Sequence, residues 1–407
     1  MSQDARSLLT AAAVRERAKK MLALCEADAL AHWRLERARL GAVADYVLET
    51  MRANYPSLDI PFHARWRHFV VEGVDRWVAP DNDTVFESAA ERARTEIDLA
   101  VVSVLLDAGA GPDWRYEARG GVTLRRSEGL AIASLDMFDN GYFTASMSSP
   151  LRADAHYLMT LDADLLAEGF KVSDTNPLPG LEGRAALLRA LGKAVAARPS
   201  VFARHDNPRP GGLYDHFRRI TRGGPLKAEV ILTTLLEHLG PIWPSRLTLD
   251  GVALGDCWRH PALKTGDATD GLVPFHKLSQ WLAYSLIEPL QRAGIEVTDI
   301  DGLTGLPEYR NGGLFMDLGA LVLKDPAQAA VPQEPGSELI VEWRALTVAL
   351  LDEVAVLLRG KLGLDAQSLP LAKVLEGGTW AAGRRIAREK REDGSPPLTI
   401  ISDGTVF

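Results

Sequence analysis

The chain has 407 residues, of which 46% are hydrophobic and 25% are charged, a balance typical of a globular protein. Its net charge of −8 argues against a general attraction to nucleic acid or acidic lipid, and we expect neither as a partner. Two cysteines are too few for a zinc-type cluster, no run approaches the roughly 20 apolar residues of a membrane span, and the N-terminus lacks the apolar core of a signal peptide. These features predict a soluble, cytoplasmic protein.

Helical periodicity dominates the first part of the chain. Apolar residues recur at helical spacing from about Ser7 to Met51, which predicts two helical segments. A further helix is expected to begin after Ser88, a good N-cap residue, and to end at the Gly109-Gly111 pair. Its centre is apolar on every side and follows Asp98, whose carboxylate would be costly to bury without a partner.

The rest of the chain adds helices and a few short strands. Helical patterns cover LEGRAALLRALGKAVAA, AEVILTTLLEHLG, LVPFHKLSQWLAYSLIEPLQRAG, SELIVEWRALTVALLDEVAVLLRGKLG and TWAAGRRIAREKR. In the third of these, Pro274 is expected in the first turn and Gly294 at the end. Asn140-Gly141 predicts a turn, Asp250-Gly251 a short hairpin, and PLTIISDGTVF a final strand.

This order of elements predicts the fold class. Helices dominate and strands do not alternate with them, so we expect a mainly α fold with small β additions. No internal repeat or long linker divides the chain. We therefore expect one large helical domain over 1–407, within which 1–85 is a candidate N-terminal helical subdomain.

The strongest candidate site lies in LTGLPEYRNGGLF, where glycines and a proline bracket Glu308, Tyr309 and Arg310 directly after an acidic segment containing Asp299. An arginine near a carboxylate holds it ionised and oriented, as a general base or an oxocarbenium stabiliser requires. A surface loop explains the same residues. The common motifs GxGxxG, GxxxxGK[ST], HExxH and GxSxG are absent, so they support no nucleotide-phosphate, zincin or serine-hydrolase chemistry.

Two other segments combine aromatic and ionisable side chains. GDCWRH places Asp256 beside Trp258, which suits stacking and acid–base chemistry but also suits a structural pair. In VPFHKLSQW, His276 and Gln280 are four residues apart and are expected to share a helix face. There, Lys277 can pair with an anionic group, whereas an ordinary amphipathic helix is the alternative. Phe275 is expected to point toward the core.

The last candidates are single polar residues and arginine-rich stretches. Asp136 lies among aromatics in SLDMFDNGYF, a combination that suits sugar recognition or a solvated turn. Arg184, at the start of GLEGRAALL, is placed to meet an anion at a helix N-terminus. The arginines of FARHDNPRPGGLYDHFRR and WAAGRRIAREKR predict either contact with a phosphate-bearing ligand or a solvated helix face.

Taken together, these blocks resemble the uracil-catabolism family of fungi and bacteria. The resemblance runs essentially end to end and includes IDLAVVSVLLDAGAG, FARHDNPRPGGLYDH, GDCWRH, VPFHKLSQWLAYSLIEPL and LTGLPEYRNGGLFMDLGAL. The family is encoded with a GTP-cyclohydrolase-II-like ring-opening protein and uracil phosphoribosyltransferase. The resemblance therefore implies a small nucleoside- or nucleotide-derived substrate and a contact with the ring-opening enzyme.

A more distant likeness concerns the reaction. VTDIDGLTGLPEYRNGGLFMDLG is similar to the D-I-x-x-L-T-x-F-A-D-Y-R-V-P-Q segment of the queuosine-salvage family, which hydrolyses the N-glycosidic bond of a nucleoside monophosphate on a helical fold like that of DNA glycosylases. Glu308 stands where that family has Asp, and Asn311-Gly312 replace its Val-Pro. The matching positions are Asp299, Thr304, Tyr309 and Arg310 and, on the preceding helix, Lys277 and Gln280.

These resemblances imply a DNA-glycosylase-like helical fold and an N-ribosyl hydrolase that splits ribosylurea or its 5-phosphate into urea and ribose or ribose phosphate. They imply no cofactor and no metal. Glu308 or Asp299 would be the catalytic carboxylate and Arg310 its orienter. The remaining candidates would bind substrate, namely Asp256, Trp258, Phe275, His276, Lys277, Gln280, Tyr309, Asp136 and Arg184. The alternatives are an amidohydrolase or deaminase acting on the same intermediate, and a non-catalytic partner of the ring-opening enzyme.

Overall fold

The computed structural model describes residues 3–146, 148–204, 207–243 and 247–401. Helices make up most of the regular structure, whereas the strands are two or three residues long and pair in twos. The predicted mainly α fold with small β additions is confirmed. Its likeness to DNA glycosylases stays a prediction.

The helices and strands have the following bounds. The helices are α1 (Gln3–Leu8), α2 (Ala11–Glu26), α3 (Leu40–Asn54), α4 (Val78–Asp83), α5 (Ala89–Leu105), α6 (Arg126–Asp139), α7 (Ala155–Leu158), α8 (Ala163–Gly169), α9 (Leu181–Ala196), α10 (Pro199–Phe202), α11 (Leu213–Thr221), α12 (Ala228–Leu239), α13 (Lys277–Arg292), α14 (Tyr309–Asp317), α15 (Glu338–Leu362), α16 (Leu371–Lys373) and α17 (Ala381–Lys390). The strands are β1 (Trp33–Leu35), β2 (Val70–Val71), β3 (Val74–Asp75), β4 (Tyr116–Ala118), β5 (Val122–Leu124), β6 (Ala203–Arg204), β7 (Asn207–Pro208), β8 (Leu226–Lys227), β9 (Thr248–Leu249), β10 (Val252–Ala253), β11 (Cys257–Arg259), β12 (Leu272–Pro274), β13 (Val297–Thr298) and β14 (Leu321–Leu323). A π-helix, Val374–Trp380, runs directly into α17.

The chain divides into two compact units, each assembled from separate segments. The first unit consists of Met1–His63, Ser245–Gln280 and Asp299–Ser402. The second unit consists of Ala64–Pro244 and Trp281–Thr298. All predicted site residues belong to the first unit except Asp136 and Arg184. The single-domain arrangement expected from the sequence stays a prediction.

Helix α15 forms the centre of the first unit. Ser337 caps its start by accepting a hydrogen bond from the N–H of Ile340, and Gly363 ends it in the left-handed conformation at φ 67°. Its apolar side chains are buried along most of its length, and α2 packs against it. Next to α15, β1 pairs antiparallel with β14, and Trp33 of β1 donates from Nε1 to the carbonyl of Leu339 at 2.9 Å.

Helix α5 forms the core of the second unit. Ser88 caps it as predicted, and every residue from position 93 to position 105 is buried. Asp98 lies within this buried face and is fully enclosed. Its carboxylate accepts hydrogen bonds from Nε of Arg209 at 2.6 Å and from the backbone N–H groups of Gly211 at 2.6 Å and Ala153 at 3.1 Å. These bonds meet the sequence-based condition that Asp98 needs partners to be buried.

The hairpin predicted across Asp250-Gly251 is confirmed, whereas the predicted start of the helix that follows is wrong. Strands β9 and β10 pair antiparallel around a turn whose central residues have φ of 50° and 74°. Pro274, expected in a first helical turn, is instead the last residue of β12, which pairs with β11. Helix α13 begins only at Lys277, because the two preceding N–H groups bond to the carbonyl of Asp256.

Two of the three glycines of LTGLPEYRNGGLF lie inside a helix and do not form a turn. Helix α14 runs from Tyr309 to Asp317, and Gly312 and Gly313 are buried within it. The absence of a side chain is needed at Gly312, since a Cβ there would lie 2.7 Å from the ring of Trp343. The turn at Asn140-Gly141 is confirmed as the end of α6. The last part of the predicted C-terminal strand, residues 402–407, lies outside the described residues.

Candidate functional site

The carboxylate of Asp256 accepts hydrogen bonds from three other residues. Arg344 of α15 binds its carboxylate with both terminal nitrogens, at 2.9 Å and 2.8 Å. The indole N–H of Trp258 donates to the same carboxylate at 2.8 Å, and the backbone N–H of Lys277 donates at 3.0 Å. Burial alone would raise the pKa of Asp256, but Arg344 and these donors hold it well below its usual value. Asp256 is therefore a permanently ionised, rigidly held carboxylate.

The hairpin of β11 and β12 explains how this carboxylate is positioned. The backbone carbonyl of Asp256 accepts the N–H of Phe275 at 2.9 Å, which ties the start of β11 to the end of β12. The ring of Phe275 then lies under the guanidinium of Arg344, 4.1 Å from its centre. Phe275 is buried, as predicted, and it stabilises Arg344 through a cation–π contact.

Tyr309 lies at the end of an aromatic stack. Its ring is parallel to that of Trp343 within 10°, with 6.2 Å between ring centres, and Trp343 stacks in the same way on Trp33. Trp343 is fixed by a hydrogen bond from its indole N–H to the carbonyl of Gly312. The stack leaves the Tyr309 ring half-buried, and its hydroxyl makes no hydrogen bond with any described residue.

Glu308 is the N-cap residue of α14. Its two carboxylate oxygens accept the backbone N–H groups of Arg310 at 2.8 Å and of Asn311 at 2.6 Å. The expected link between Glu308 and Arg310 is thus made through the backbone of Arg310. The Arg310 guanidinium donates to the carbonyl of Gly394 at 2.6 Å. The helix start consequently fixes the direction in which the carboxylate of Glu308 points.

The charged groups described above act on the hydroxyl of Tyr309. Burial raises the pKa of its hydroxyl, the charge of Arg344 opposes this rise, and the charges of Glu308 and Asp256 add to it. Glu308 and Asp256, which are about fifty positions apart in the chain, therefore both act on the hydroxyl of Tyr309. The phenol remains neutral at physiological pH and is able to donate a hydrogen bond.

Two predicted residues of the α13 segment, Gln280 and His276, make structural hydrogen bonds. The Gln280 side chain donates to Oγ1 of Thr304 at 2.6 Å and accepts the N–H of Thr304 at 2.8 Å, which fastens the start of α13 to the segment before Glu308. His276 precedes the helix at φ 50° instead of sharing a face with Gln280, and its Nε2 bonds to the carbonyl of Leu8 at 2.9 Å. Both side chains are buried, and their hydrogen bonds connect the chain segments next to the site.

Asp299 has a different environment from Glu308. It is exposed, it adopts a left-handed conformation at φ 49°, and its carbonyl accepts the N–H of Gly302. It precedes a short 3-10 turn in which Asp301 binds the guanidinium of Arg359 at 2.5 Å. Of the two predicted catalytic carboxylates, only Glu308 is among the charges that act on Tyr309.

The two candidates of the second unit have structural partners. Asp136 accepts the hydroxyl of Tyr116 at 2.8 Å, and burial raises its pKa. The guanidinium of Arg184 donates to the carbonyls of Leu106 at 3.1 Å and Ala108 at 2.9 Å, where it covers the C-terminal end of α5. Burial lowers the pKa of Arg184 to about 10. Neither residue is among the charges that act on Tyr309.

Sequence reasoning missed Arg344 and Trp343. They follow one another in α15 and supply the counter-ion of Asp256 and the stacking partner of Tyr309. The signal was present, because the Glu-Trp-Arg of ELIVEWRALTVALL interrupts an otherwise apolar helix and a buried arginine needs an anionic partner.

The described residues hold neither a metal-binding cluster nor a membrane-spanning helix. They contain no group of three or more His, Cys, Asp or Glu side chains placed to hold a metal ion. None of their helices combines the length and apolarity that crossing a membrane requires.

The chain is similar to known proteins over nearly its whole length. The family model DUF1688, described as a protein of unknown function, matches residues 7–407. The chain is 39% identical over 413 residues to Protein urg3 of Schizosaccharomyces pombe (strain 972 / ATCC 24843), with 98% of each chain covered. It is 37% identical over 414 residues to Uracil catabolism protein 4 of Lachancea kluyveri, with 92% of each chain covered.

Proposed function

Since this chain belongs to the DUF1688 family, we propose that it acts in uracil catabolism and there hydrolyses the N-glycosidic bond of a ring-opened uridine derivative. The resemblance to the uracil-catabolism family is confirmed, and the name of the Lachancea kluyveri relative supports the pathway. The proposed substrate is ribosylurea or its 5-phosphate. The products are urea and ribose or ribose phosphate.

One observation carries the reaction class, namely the set of charges around the Tyr309 hydroxyl. Two carboxylates, Glu308 and Asp256, and a single guanidinium, Arg344, act on it. This excess of negative charge favours the positively charged, oxocarbenium-like sugar that forms when a glycosidic C–N bond breaks. The hydroxyl itself is available to a ligand, because no described residue binds it.

The proposed roles follow from the chemistry of the step. The C1′–N bond breaks with its electron pair passing to the urea nitrogen, and water supplies the hydroxyl that bonds to C1′. The carboxylate of Glu308 stabilises the sugar cation and accepts a proton from the water. The Tyr309 hydroxyl donates a hydrogen bond to the leaving urea, and the proton that Glu308 took from the water is then passed to the urea nitrogen, so that neutral urea leaves and Glu308 is again ionised. Asp256, held by Arg344, contributes fixed negative charge. We assign contact with substrate to Trp258 and Lys277, whose indole and backbone N–H groups donate to its carboxylate.

The test is to incubate the purified protein with ribosylurea and, separately, with ribosylurea 5-phosphate, and to measure free urea. We expect urea release by the wild type and a loss of roughly 10²–10⁴-fold in kcat/KM for Glu308→Gln, which removes the charge. Glu308→Asp keeps a capping carboxylate but retracts it by one methylene, so its helix should stay stable while turnover falls. If Glu308→Gln released urea at the wild-type rate, the catalytic role of Glu308 would be excluded.

A matched control separates catalysis from general charge effects. Glu334 is exposed and its carboxylate makes no hydrogen bond or ion pair with the described residues, so Glu334→Gln should retain full activity. Ammonia released from a substrate whose ribosyl bond stays intact would favour an amidohydrolase or deaminase. Tight binding of the ring-opening enzyme without any turnover would favour the non-catalytic alternative.

A further inference from the structure

The second unit contains a cavity that the proposed reaction does not use. Its volume is about 720 Å³, within the range of about 300–1,000 Å³ that is usual for small-molecule sites. The start of α5 forms one wall, and Arg94 projects from it. Ser149 and Arg152, from the connection after α6, form another wall. Asn207 in β7 and Arg209 just after it complete the lining of the cavity.

Among the described residues, three arginines line this cavity, which at first suggests a phosphate site. Two of them are already committed to carboxylates. Arg94 binds Asp215 with two nitrogens, both at 2.7 Å, and Glu91 with the third at 2.8 Å. Arg209 binds Asp98 and Glu91, both at 2.6 Å.

Glu91 therefore lies between two guanidinium groups and neutralises part of their charge. Burial would raise the pKa of this carboxyl, but Arg209 and Arg94 hold it below its usual value, so it is ionised. The remaining arginine, Arg152, donates from Nε to Asp154 at 2.7 Å. Glu87 adds a further, exposed carboxylate to the lining. Each of the three arginines is therefore paired with a carboxylate, so the described part of the lining gives an anionic ligand no net electrostatic attraction.

The lining nevertheless keeps hydrogen-bonding groups that no described residue occupies. They are the two terminal nitrogens of Arg152, the hydroxyls of Thr84 and Ser149 and the side-chain amide of Asn207. The half-buried ring of Phe86 supplies an apolar face beside them. These donors and acceptors next to an aromatic ring match a ligand that carries many hydroxyls and an apolar C–H face.

We propose that this cavity binds an uncharged, hydroxyl-rich small molecule of the size of a free sugar or a nucleoside. The charge pairing excludes a phosphate as the group that holds the ligand. The inference stands apart from the proposed hydrolysis, because all the residues that carry it belong to the second unit.

The experiment is a titration of the full chain with D-ribose and with uridine, followed by ligand-observed NMR. We expect saturable binding that Asn207→Leu weakens by about 3–10-fold, as for the loss of one neutral hydrogen bond, and that Arg152→Met weakens by about 10–100-fold, as for the loss of a hydrogen bond from a charged group. Asn207 is exposed, so its variant tests the site even if Arg152→Met does not fold. Asn54→Leu, at the exposed end of α3, is the matched control and should bind as the wild type does.

Three results would overturn the proposal. They are the absence of saturable binding by both probes, binding that survives Asn207→Leu and Arg152→Met unchanged, and displacement of the probes by inorganic phosphate. Because the titration measures no turnover, its outcome does not depend on whether urea is released. Ribose is also a product of the proposed hydrolysis, so ribose binding that Glu308→Gln removes and Asn207→Leu leaves unchanged would belong to the first unit and would count against this cavity.

Discussion

Tyr309 is the residue whose environment is most specific to the proposed reaction. Its ring is fixed by Trp343, yet its hydroxyl makes no hydrogen bond with a described residue. Tyr309→Phe keeps the stack and removes only the hydroxyl. We expect urea release to fall roughly 10²–10³-fold, as when one preorganised donor is lost, and the free energy of unfolding to change by no more than about 0.5 kcal/mol. Tyr46→Phe, which alters a phenol bonded to Glu389, should leave activity intact.

The pH profile provides a second test of the same hydroxyl. Burial raises the pKa of Tyr309, so the phenol stays protonated as the pH rises through about 10, its ordinary value. If Tyr309 donates a hydrogen bond to the leaving urea, it should cause no loss of kcat below that pH. A fall in wild-type kcat with an apparent pKa near 8 or 9 that is absent from Tyr309→Phe would contradict this assignment.

At the scale of elements, the close contact between α14 and α15 places Glu308 and Tyr309. A Cβ at Gly312 would lie 2.7 Å from the Trp343 ring, and this ring cannot move without breaking its stacks. Gly312→Ala should therefore destabilise the protein by about 1–3 kcal/mol in guanidinium unfolding, although alanine is the better helix former. It should also lower urea release.

Gly360 supplies the control for this prediction. It lies within α15, and a Cβ there would meet nothing within 4 Å. Gly360→Ala should stabilise the protein by up to about 1 kcal/mol, since only helix propensity changes. Equal effects at the two glycines would show that the contact with Trp343 is not the cause.

At the scale of the whole molecule, the Asp256–Arg344 pair makes stability depend on pH. Both side chains are nearly inaccessible, at 9% and 2% exposure, so Asp256→Asn leaves a buried guanidinium without its counter-ion. We expect a cost of about 3–5 kcal/mol at pH 7. Asp59→Asn, at an exposed aspartate, should cost less than about 0.5 kcal/mol.

The direction of the pH effect follows from the lowered pKa of Asp256. A carboxyl whose pKa is lower in the folded state contributes its full stability above its unfolded pKa of about 3.9. It loses that contribution as the pH falls toward the folded value. The difference between wild type and Asp256→Asn should thus be constant from about pH 5 to pH 8 and shrink below about pH 4. A difference that grew toward acid pH would contradict the pairing.

Features governed by near neighbours in the chain were predictable from the sequence. Ser88 caps α5, Asp250-Gly251 turns a hairpin, and Asp98 proved to need partners once the helix around it was recognised as buried. Among site residues, Glu308, Tyr309 and Asp256 were identified by residue type and resemblance. In each case the outcome depends on residues within a few positions in the chain, or on one ionised group that needs a partner when it is buried.

Features governed by distant partners were decided only by the tertiary structure. Pro274 is in a strand because Asp256 binds the N–H groups that follow it, and Gly312 is helical because Trp343 packs against it. Arg344 lies 88 residues from Asp256 along the chain, and no local pattern specifies that pairing. The sequence by itself determined the helical fold class and the residue types of the site. Which carboxylate receives the arginine depended on long-range packing, because a buried charge is satisfied by the partner that the fold brings near it, at whatever separation in the chain.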